Sequence, residues 1–274
     1  MHTHTRIFSR SILVFLILFI PLVTTLSAQS EETPTPTTIG LFDPANSLFL
    51  LRNENTVGDA TIVVTYGSAG SGWTPIVGDW DGDGIFTVGL YDASSATFFL
   101  RNTNSDGEAD LTFTFGVGGT GWMPVVGDWN GDGTTTIGLY DPTEGMWYLR
   151  NENSTGEADI TFQLTVDGAL PVVGDWDGDG EVTVGLYDPT ESVFYLRNSN
   201  TVGRTIKVTF GTPNGGLLPV AGDWDADGIM TIGLYDVATA TFFLRNSNNG
   251  GEADLSFTYG SADSGWVPLV GKWE

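Results

Sequence analysis

Residues 77–84 read Val-Gly-Asp-Trp-Asp-Gly-Asp-Gly, and copies of this stretch recur along most of the chain. Worn copies occupy residues 127–133, 174–180 and 222–228, and a truncated copy, Val-Gly-Lys-Trp-Glu, ends the sequence at residues 270–274. Successive copies lie 47 to 49 residues apart. A period of this length indicates stacked copies of one supersecondary unit.

Each unit predicts four short strands. In the unit that begins at Pro75, the strands cover Pro75–Trp80, Thr87–Asp92, Thr97–Asn102 and Ala109–Gly116. The third strand is apolar on both faces, whereas the fourth alternates apolar and polar residues. We therefore expect the third strand to be covered on both sides and the fourth to be half solvated.

Four antiparallel strands per repeat are typical of a β-propeller blade. Gly78 and Gly89, with their counterparts, would lie on the inner strands, where blades converge and side chains have least room. A solenoid is the alternative architecture. Solenoids usually carry atypical terminal repeats with polar outer faces, and the sequence shows none.

The two ends of the repeat region complement each other. The first repeat begins at Thr38 with a second strand and lacks the strand before it, while Pro268–Trp273 matches that missing first strand. The pattern predicts an all-β, five-bladed propeller of ~48-residue repeats over residues 38–274, closed by the C-terminal strand. The repeats start near Thr38, Thr87, Thr136, Thr183 and Thr231.

The N-terminal region predicts export. Two arginines, an apolar run over residues 12–20, Pro21 and a small-residue site at Ser27-Ala28 are typical of a secretory signal peptide over residues 1–28. The apolar run is shorter than the roughly 20 residues that a membrane span needs. Residues 29–37 are polar and Pro-rich and predict a flexible lead-in. We expect a secreted or cell-surface protein with no membrane span after cleavage.

Charge narrows the range of partners. The chain carries 34 acidic and 10 basic residues, for a net charge of −24. Such a surface repels nucleic acid and anionic membranes and favours cations. The absence of cysteine excludes disulfides and a lipid-modified cysteine.

The repeat, with GDWDGDG followed by TVGLYD and FFLRN, resembles the FG-GAP/VCBS-type repeats of secreted bacterial proteins, relatives of the integrin α-chain propeller. In that family a DxDxDGxxD loop joins the first two strands, and the resemblance implies bound calcium. The implied ligands are Asp79, Asp81, Asp83, Asp128, Asn130, Asp132, Asp175, Asp177, Asp179, Asp223, Asp225 and Asp227.

Spacing alone supports the same chemistry, since side-chain oxygens at i, i+2 and i+4 fold around one point in a glycine-rich turn. The alternative is an Asp-rich turn without metal. Thr87, Thr136, Thr183 and Thr231 stand at the ninth position, where the family has Asp, and Lys272 replaces the first Asp of a fifth loop. We expect weak, structural calcium binding, in the ~10⁻⁴ to 10⁻³ M class.

Two residue sets recur in every blade and predict structural roles. The arginines would pair with carboxylates of their own or a neighbouring blade, although a ring of them could also bind an anion. These are Arg52, Arg101, Arg150, Arg197 and Arg245. A structural role is also expected for the five repeated tryptophans, Trp80, Trp129, Trp176, Trp224 and Trp273.

Three tryptophans break the symmetry and form a candidate ligand site. Trp73, Trp122 and Trp266 precede the first strand in neighbouring repeats, where Ala169 and Leu217 stand in the other two. Clustered aromatic residues could stack on sugar rings or anchor a protein. Alternatively, they fill gaps between blades.

Catalysis is not expected. Signal-peptide cleavage would remove both histidines, so triads and ordinary zinc sites would be missing from the mature chain. A carboxylate-based glycosidase needs two acids in different environments, whereas the repeats supply equivalent ones and Glu144, Glu181 and Glu191 are scattered. The sequence favours a non-catalytic binding or adhesion module that recognises a glycan or an extracellular protein; a purely structural surface domain is the alternative.

Overall fold

The computed structural model describes residues 1–2 and 34–274. The signal peptide predicted over residues 1–28, from residue 3 onward, and residues 29–33 of the lead-in lie outside the described residues. Within the described residues there is no helix long and apolar enough to cross a membrane.

Twenty strands build the unit that spans Pro34–Glu274. They are β1 (Thr38–Asp43), β2 (Leu48–Leu51), β3 (Ile62–Thr65), β4 (Thr74–Gly78), β5 (Thr87–Asp92), β6 (Thr97–Leu100), β7 (Leu111–Thr114), β8 (Met123–Gly127), β9 (Thr136–Asp141), β10 (Met146–Leu149), β11 (Ile160–Gln163), β12 (Leu170–Gly174), β13 (Thr183–Asp188), β14 (Val193–Leu196), β15 (Ile206–Thr209), β16 (Leu217–Gly222), β17 (Thr231–Asp236), β18 (Thr241–Leu244), β19 (Leu255–Thr258) and β20 (Val267–Gly271).

These strands form five four-stranded antiparallel sheets, which are the blades of a closed propeller. Blade 1 has the order β20-β1-β2-β3, and blades 2 to 5 contain β4–β7, β8–β11, β12–β15 and β16–β19, each from the axis outward. The innermost strands contact one another in the cyclic order β4, β8, β12, β16 and β20. The predicted five-bladed propeller is confirmed.

The C-terminal strand closes the ring as the repeat pattern predicts. Strand β20 pairs with β1 in antiparallel register, with Thr38 opposite Gly271 and Phe42 opposite Val267. The Thr38 hydroxyl also donates to the Gly271 carbonyl over 3.1 Å. Blade 1 is thus built from both ends of the repeat region.

Burial follows strand position within each blade. The second strands are buried along their length, except for the terminal aspartates of β5 and β17, because blades cover both of their faces. In the fourth strand β7, Thr112 and Thr114 are exposed while Leu111 and Phe113 are partly covered, so the predicted half-solvated strand is confirmed. The third strand β6 alternates buried and partly covered residues, so neither of its faces is open to solvent.

The hydrophobic core consists of five clusters, one at each interface between neighbouring blades. One cluster joins Phe42 and Phe49 of blade 1 to Val88 and Leu90 of blade 2, and the other four repeat this arrangement around the ring. Apolar burial therefore drives the packing of blade against blade. The axis itself is left as a channel.

The inner-strand glycines are required by close approach, as predicted. A Cβ added to Gly78 would lie 2.5 Å from Thr135 Cγ2 and 2.8 Å from the Trp80 ring. A Cβ on Gly89 would lie 3.0 Å from both Ile76 and Leu100. Only glycine lets the indole of the repeated Gly-Asp-Trp segment lie against these strands.

Candidate functional site

The acidic loops all lie at one end of the propeller. Each joins an innermost strand to the second strand of the same blade, and all innermost strands run in the same direction along the axis. We name the loops by their first residue: the Asp79 loop (79–87), the Asp128 loop (128–136), the Asp175 loop (175–183) and the Asp223 loop (223–231).

A circle of backbone hydrogen bonds joins these loops across the blade interfaces. The carbonyl at the first loop position accepts a bond from the N–H at the eighth position of the next blade, as Asp79 does from Thr135 over 2.7 Å. The circle includes a fifth bond, from Phe86 N–H to the Lys272 carbonyl. The remaining pairs are Val182 to Asp128, Met230 to Asp175 and Thr37 to Asp223.

A repeated asparagine holds the other side of the eighth position. The Asn104 amide donates to the Phe86 carbonyl over 2.8 Å, and the outer loop of every blade repeats this contact. The other four are Asn55, Asn153, Asn200 and Asn248. The sequence analysis does not predict this role, although every repeat carries the pattern Arg-Asn-x-Asn, whose second asparagine makes the contact.

The first aspartate of each loop organises the turn. Asp79 accepts bonds from Gly82 N–H (2.7 Å) and Asp83 N–H (3.0 Å) at Oδ1, and from Gly84 N–H (2.7 Å) at Oδ2. Gly84 has φ of +90°, a conformation that glycine adopts without steric cost. The structure therefore contains the Asp-rich turn that the sequence analysis gave as the alternative to a metal loop. It does not exclude a metal, because a carboxylate offers about four lone-pair sites.

Three loops bring their carboxylates close enough to hold one ion each. Carboxylate oxygens of Asp79, Asp81 and Asp83 all lie within 4.8 Å of one another. The same holds for Asp175, Asp177 and Asp179, and for Asp223, Asp225 and Asp227. Partial desolvation, followed by the charges of Asp83 and Asp79, raises the pKa of Asp81. The crowded carboxylates thus favour a proton or a cation.

The Asp128 loop differs because Asn130 replaces a carboxylate. The Asn130 amide donates to Asp132 Oδ2 over 3.0 Å. This bond, with the Thr134 backbone N–H, lowers the pKa of Asp132. The neutral amide relieves a repulsion that the other three loops retain.

The threonines at the ninth position bind backbone instead of presenting charge to the loop. The Thr87 hydroxyl donates to the Arg101 carbonyl over 2.6 Å and lies 3.3 Å from the Gly78 carbonyl. Its residue is 4% exposed. Thr136, Thr183 and Thr231 make the equivalent contact to Gly127, Gly174 and Gly222. The ion would therefore receive no carboxylate from this position.

Four of the repeated arginines bond within their own blades, and Arg197 of blade 4 also donates to the Gln163 carbonyl of blade 3 over 3.4 Å, so the predicted structural role is confirmed. Arg150 donates to the carbonyls of Ser154 and Glu157 and lies 3.3 Å from the Glu152 carboxylate. Arg52, Arg101 and Arg245 likewise pair with a carboxylate of the same blade. Arg197 has none among the described residues, because Ser199 and Thr205 stand in the places of Glu152 and Asp159. Burial lowers its pKa.

The repeated tryptophans are core residues. All five have an exposed fraction of 6% or less. The indole N–H groups of Trp129 and Trp273 donate to the carbonyls of Ile137 and Ile39, each over 3.2 Å. Their predicted structural role is confirmed.

The three symmetry-breaking tryptophans, which we call the tryptophan sector, are half-buried on adjacent blades. Trp73 stacks on Phe99 with ring centroids 4.7 Å apart, and Trp122 stacks on Tyr148 at the same distance. Trp266 packs against the cluster between blades 5 and 1. Each indole therefore has one side covered by protein and part of its surface open to solvent.

Comparison with protein-family models finds none that matches, and a search of curated proteins finds no significant match.

Proposed function

We propose that this protein is a secreted, non-catalytic binding or adhesion propeller whose acidic loops hold calcium. The observation that carries the proposal is the convergence of three carboxylates within 4.8 Å in three loops at one end of the ring. Grouping these charges in a chain of net charge −24 costs Coulomb energy unless a cation offsets it.

The loops also support membership among the FG-GAP/VCBS-type propellers. Their GDWDGDG pattern lies on the hairpin between the innermost and second strands, which is the location expected for that family. The proposal extends to the location of the ion. In each loop it would lie among the three acidic side chains, at loop positions one, three and five.

The donor set fits a hard cation with modest affinity. Calcium takes six to eight oxygen ligands, and each of three loops supplies three carboxylates. The ninth-position threonine adds none, so water and backbone oxygens would complete the shell. Bound calcium would offset the carboxylate repulsion and stiffen the loop, and it would leave the fold unchanged.

Non-catalytic binding agrees with the distribution of reactive groups. The chain has no cysteine, and its two histidines precede the propeller. The loop carboxylates repeat in near-equivalent settings, which does not provide the separated acid and base that glycosidic cleavage needs. A propeller of this composition is therefore better suited to holding a ligand than to transforming it.

The tryptophan sector is the proposed ligand surface. Indole rings braced from behind by Phe99 and Tyr148 present a rigid apolar surface at little entropic cost. A sugar ring can stack on such a surface without a charged group. Because each contact is weak, binding would gain strength from several sites. The same stacking also favours the second candidate, a structural surface domain in which these indoles seal the blade interfaces.

A glycan array probed with the mature protein, with and without calcium, separates the two candidates. The matched variant replaces Trp73, Trp122 and Trp266 by Leu, the residue already present at Leu217. Loss of glycan binding with an unchanged melting temperature supports the ligand surface. A large fall in melting temperature assigns the indoles to the core, and unchanged binding by a folded variant refutes the tryptophan sector.

A further inference from the structure

The innermost strands of the propeller enclose an axial channel, which plays no part in the proposed function. A cavity of about 590 Å³ runs between the innermost strands of all five blades. This volume lies within the range of small-molecule sites, roughly 300 to 1,000 Å³.

The wall is built in layers of five equivalent residues at alternate positions of the innermost strands. In four blades both layer residues are partly exposed while the residue between them is buried, as for Pro124, Val125 and Val126 of blade 3. In blade 2, Pro75 and Val77 are themselves buried. The first layer is proline in every blade: Pro75, Pro124, Pro171, Pro219 and Pro268. The second layer is Val77, Val126, Val173, Ala221 and Val270.

Backbone polar groups also face this channel. The Val88 carbonyl accepts a bond from Arg101 N–H, so the polar groups of Val88 point outward to β6. Val77 lies directly opposite Val88 and therefore belongs to a pair that exchanges no hydrogen bonds. Its N–H and C=O must point away from β5, toward the axis.

The same argument applies in every blade. The carbonyls of Ile39, Ile137, Val184 and Ile232 accept from the arginines that follow the third strands. Their partners Val270, Val126, Val173 and Ala221 therefore also face the axis. This pairing leaves the five N–H groups without a partner on the neighbouring strand of their blade.

Proline makes this wall richer in acceptors than in donors. Each blade turns two carbonyls to the axis, those of the proline and of the residue two positions later, but only one N–H, since proline has none. Buried backbone groups need partners. A ligand that donates hydrogen bonds along an apolar body therefore suits this channel better than one that accepts them.

Charge at one mouth favours a cation. Four aspartates, one from each acidic loop, and Lys272 line that end of the cavity. With one divalent ion per loop the mouth would stay acidic, because three of the four loops hold three carboxylates each. The protein itself places one ammonium there, at the position where the fifth aspartate is missing.

We propose that the axial channel binds a small aliphatic ammonium compound. Its methylene groups would pack on the proline and valine layers, and its ammonium would donate to the axial carbonyls and the acidic mouth. This site is separate from the tryptophan sector and does not depend on its function.

Calorimetric titration of the whole protein with cadaverine (1,5-diaminopentane) tests the proposal, at physiological salt and both in chelator and in calcium. The neutral 1,5-pentanediol and the anionic glutarate are controls of similar length. Ala221→Phe fills the second layer and should weaken cadaverine binding about tenfold or more. Ala238→Phe, the same change in an exposed turn, should leave it unchanged.

Lys272→Gln reports the sign of the ligand charge. Removing this ammonium should tighten cadaverine binding about fivefold, because it removes a like charge. Should Ala221→Phe lower the melting temperature strongly, Val126→Met provides a milder block in the same layer.

Three results would overturn the proposal. One is cadaverine binding that no channel variant changes, which means ion attraction to the acidic surface. Another is equal binding of pentanediol. The third is preferential glutarate binding that Lys272→Gln abolishes, which would make the channel mouth an anion site.

Discussion

The backbone N–H of Thr37 lies 2.7 Å from the carbonyl oxygen of Asp223, and the Asp223 N–H donates to the Thr37 hydroxyl over 3.0 Å. Thr135 makes the same two contacts with Asp79 across the interface between blades 2 and 3. The sequence context of Thr37 predicts that it belongs to the flexible lead-in over residues 29–37. In the structure it is 8% exposed and completes the circle of loop hydrogen bonds between blades 5 and 1.

Thr37→Val should therefore destabilise the propeller. The change keeps the backbone bond and leaves the buried Asp223 N–H without its partner, which costs about 1–3 kcal/mol. Thermal unfolding of Thr37→Val and of Thr135→Val, the same change at the equivalent interface, should give similar losses. A normal melt for Thr37→Val beside a lowered melt for Thr135→Val would mean that the first interface does not contribute to ring stability.

Deletion of Val267–Glu274 should open the ring. Blade 1 would lose its innermost strand, and the free edge of β1 would then be available for pairing with other chains. We expect aggregation, or a large fall in the melting temperature, measured by light scattering and circular dichroism. A soluble truncated protein that melts like the intact one would show that β20 is dispensable.

The loops offer a matched pair of variants for calcium. Asp81→Asn copies the natural Asn130, so it should raise the melting temperature in chelator and reduce the stabilisation by calcium. Asn130→Asp should do the reverse, because it adds a carboxylate beside Asp128 and Asp132. For an intact loop, calcium at about ten times its Kd should add ~1.4 kcal/mol per site.

The pH dependence of stability should also distinguish wild-type protein from Asp81→Asn. The pKa of Asp81 is raised in the folded protein, so the stability linked to this group is present at low pH and lost as the pH rises through the folded value. In chelator, wild-type protein should therefore lose stability relative to Asp81→Asn as the pH rises from about 4, the ordinary pKa of an aspartate, through the raised folded value. Equal melting curves with and without calcium for all three proteins would contradict metal binding by these loops.

Unfolding at alkaline pH should accompany ionisation of the buried tyrosines. Burial is the main cause that raises the pKa of Tyr66, Tyr91, Tyr235 and Tyr259 to about 12. A raised folded pKa contributes stability below the unfolded value, near 10, and that contribution is lost as the pH rises through about 12. Ultraviolet absorbance should show these phenols ionising together with loss of circular dichroism. Ionisation centred near pH 10 in the folded protein would contradict their burial.

Much of the architecture could be predicted because repetition constrains it. A period of 47 to 49 residues, a missing first strand at Thr38 and a matching strand at the C-terminus leave a closed ring as the simple solution. Alternation in the fourth strands also identified their solvated face, since side chains alternate with a period of two. The acidic spacing likewise predicted the three clustered carboxylates.

What only the tertiary structure decided are the relationships between blades. Whether the backbone of Thr37 is paired or free depends on Asp223, which is 186 residues away, and no local pattern contains that information. The Val77 N–H points toward the axis because Val88, the residue opposite it on β5, directs its own backbone polar groups to β6. Local periodicity determines the strands, whereas the packing of five similar blades around one axis determines which polar groups remain without partners.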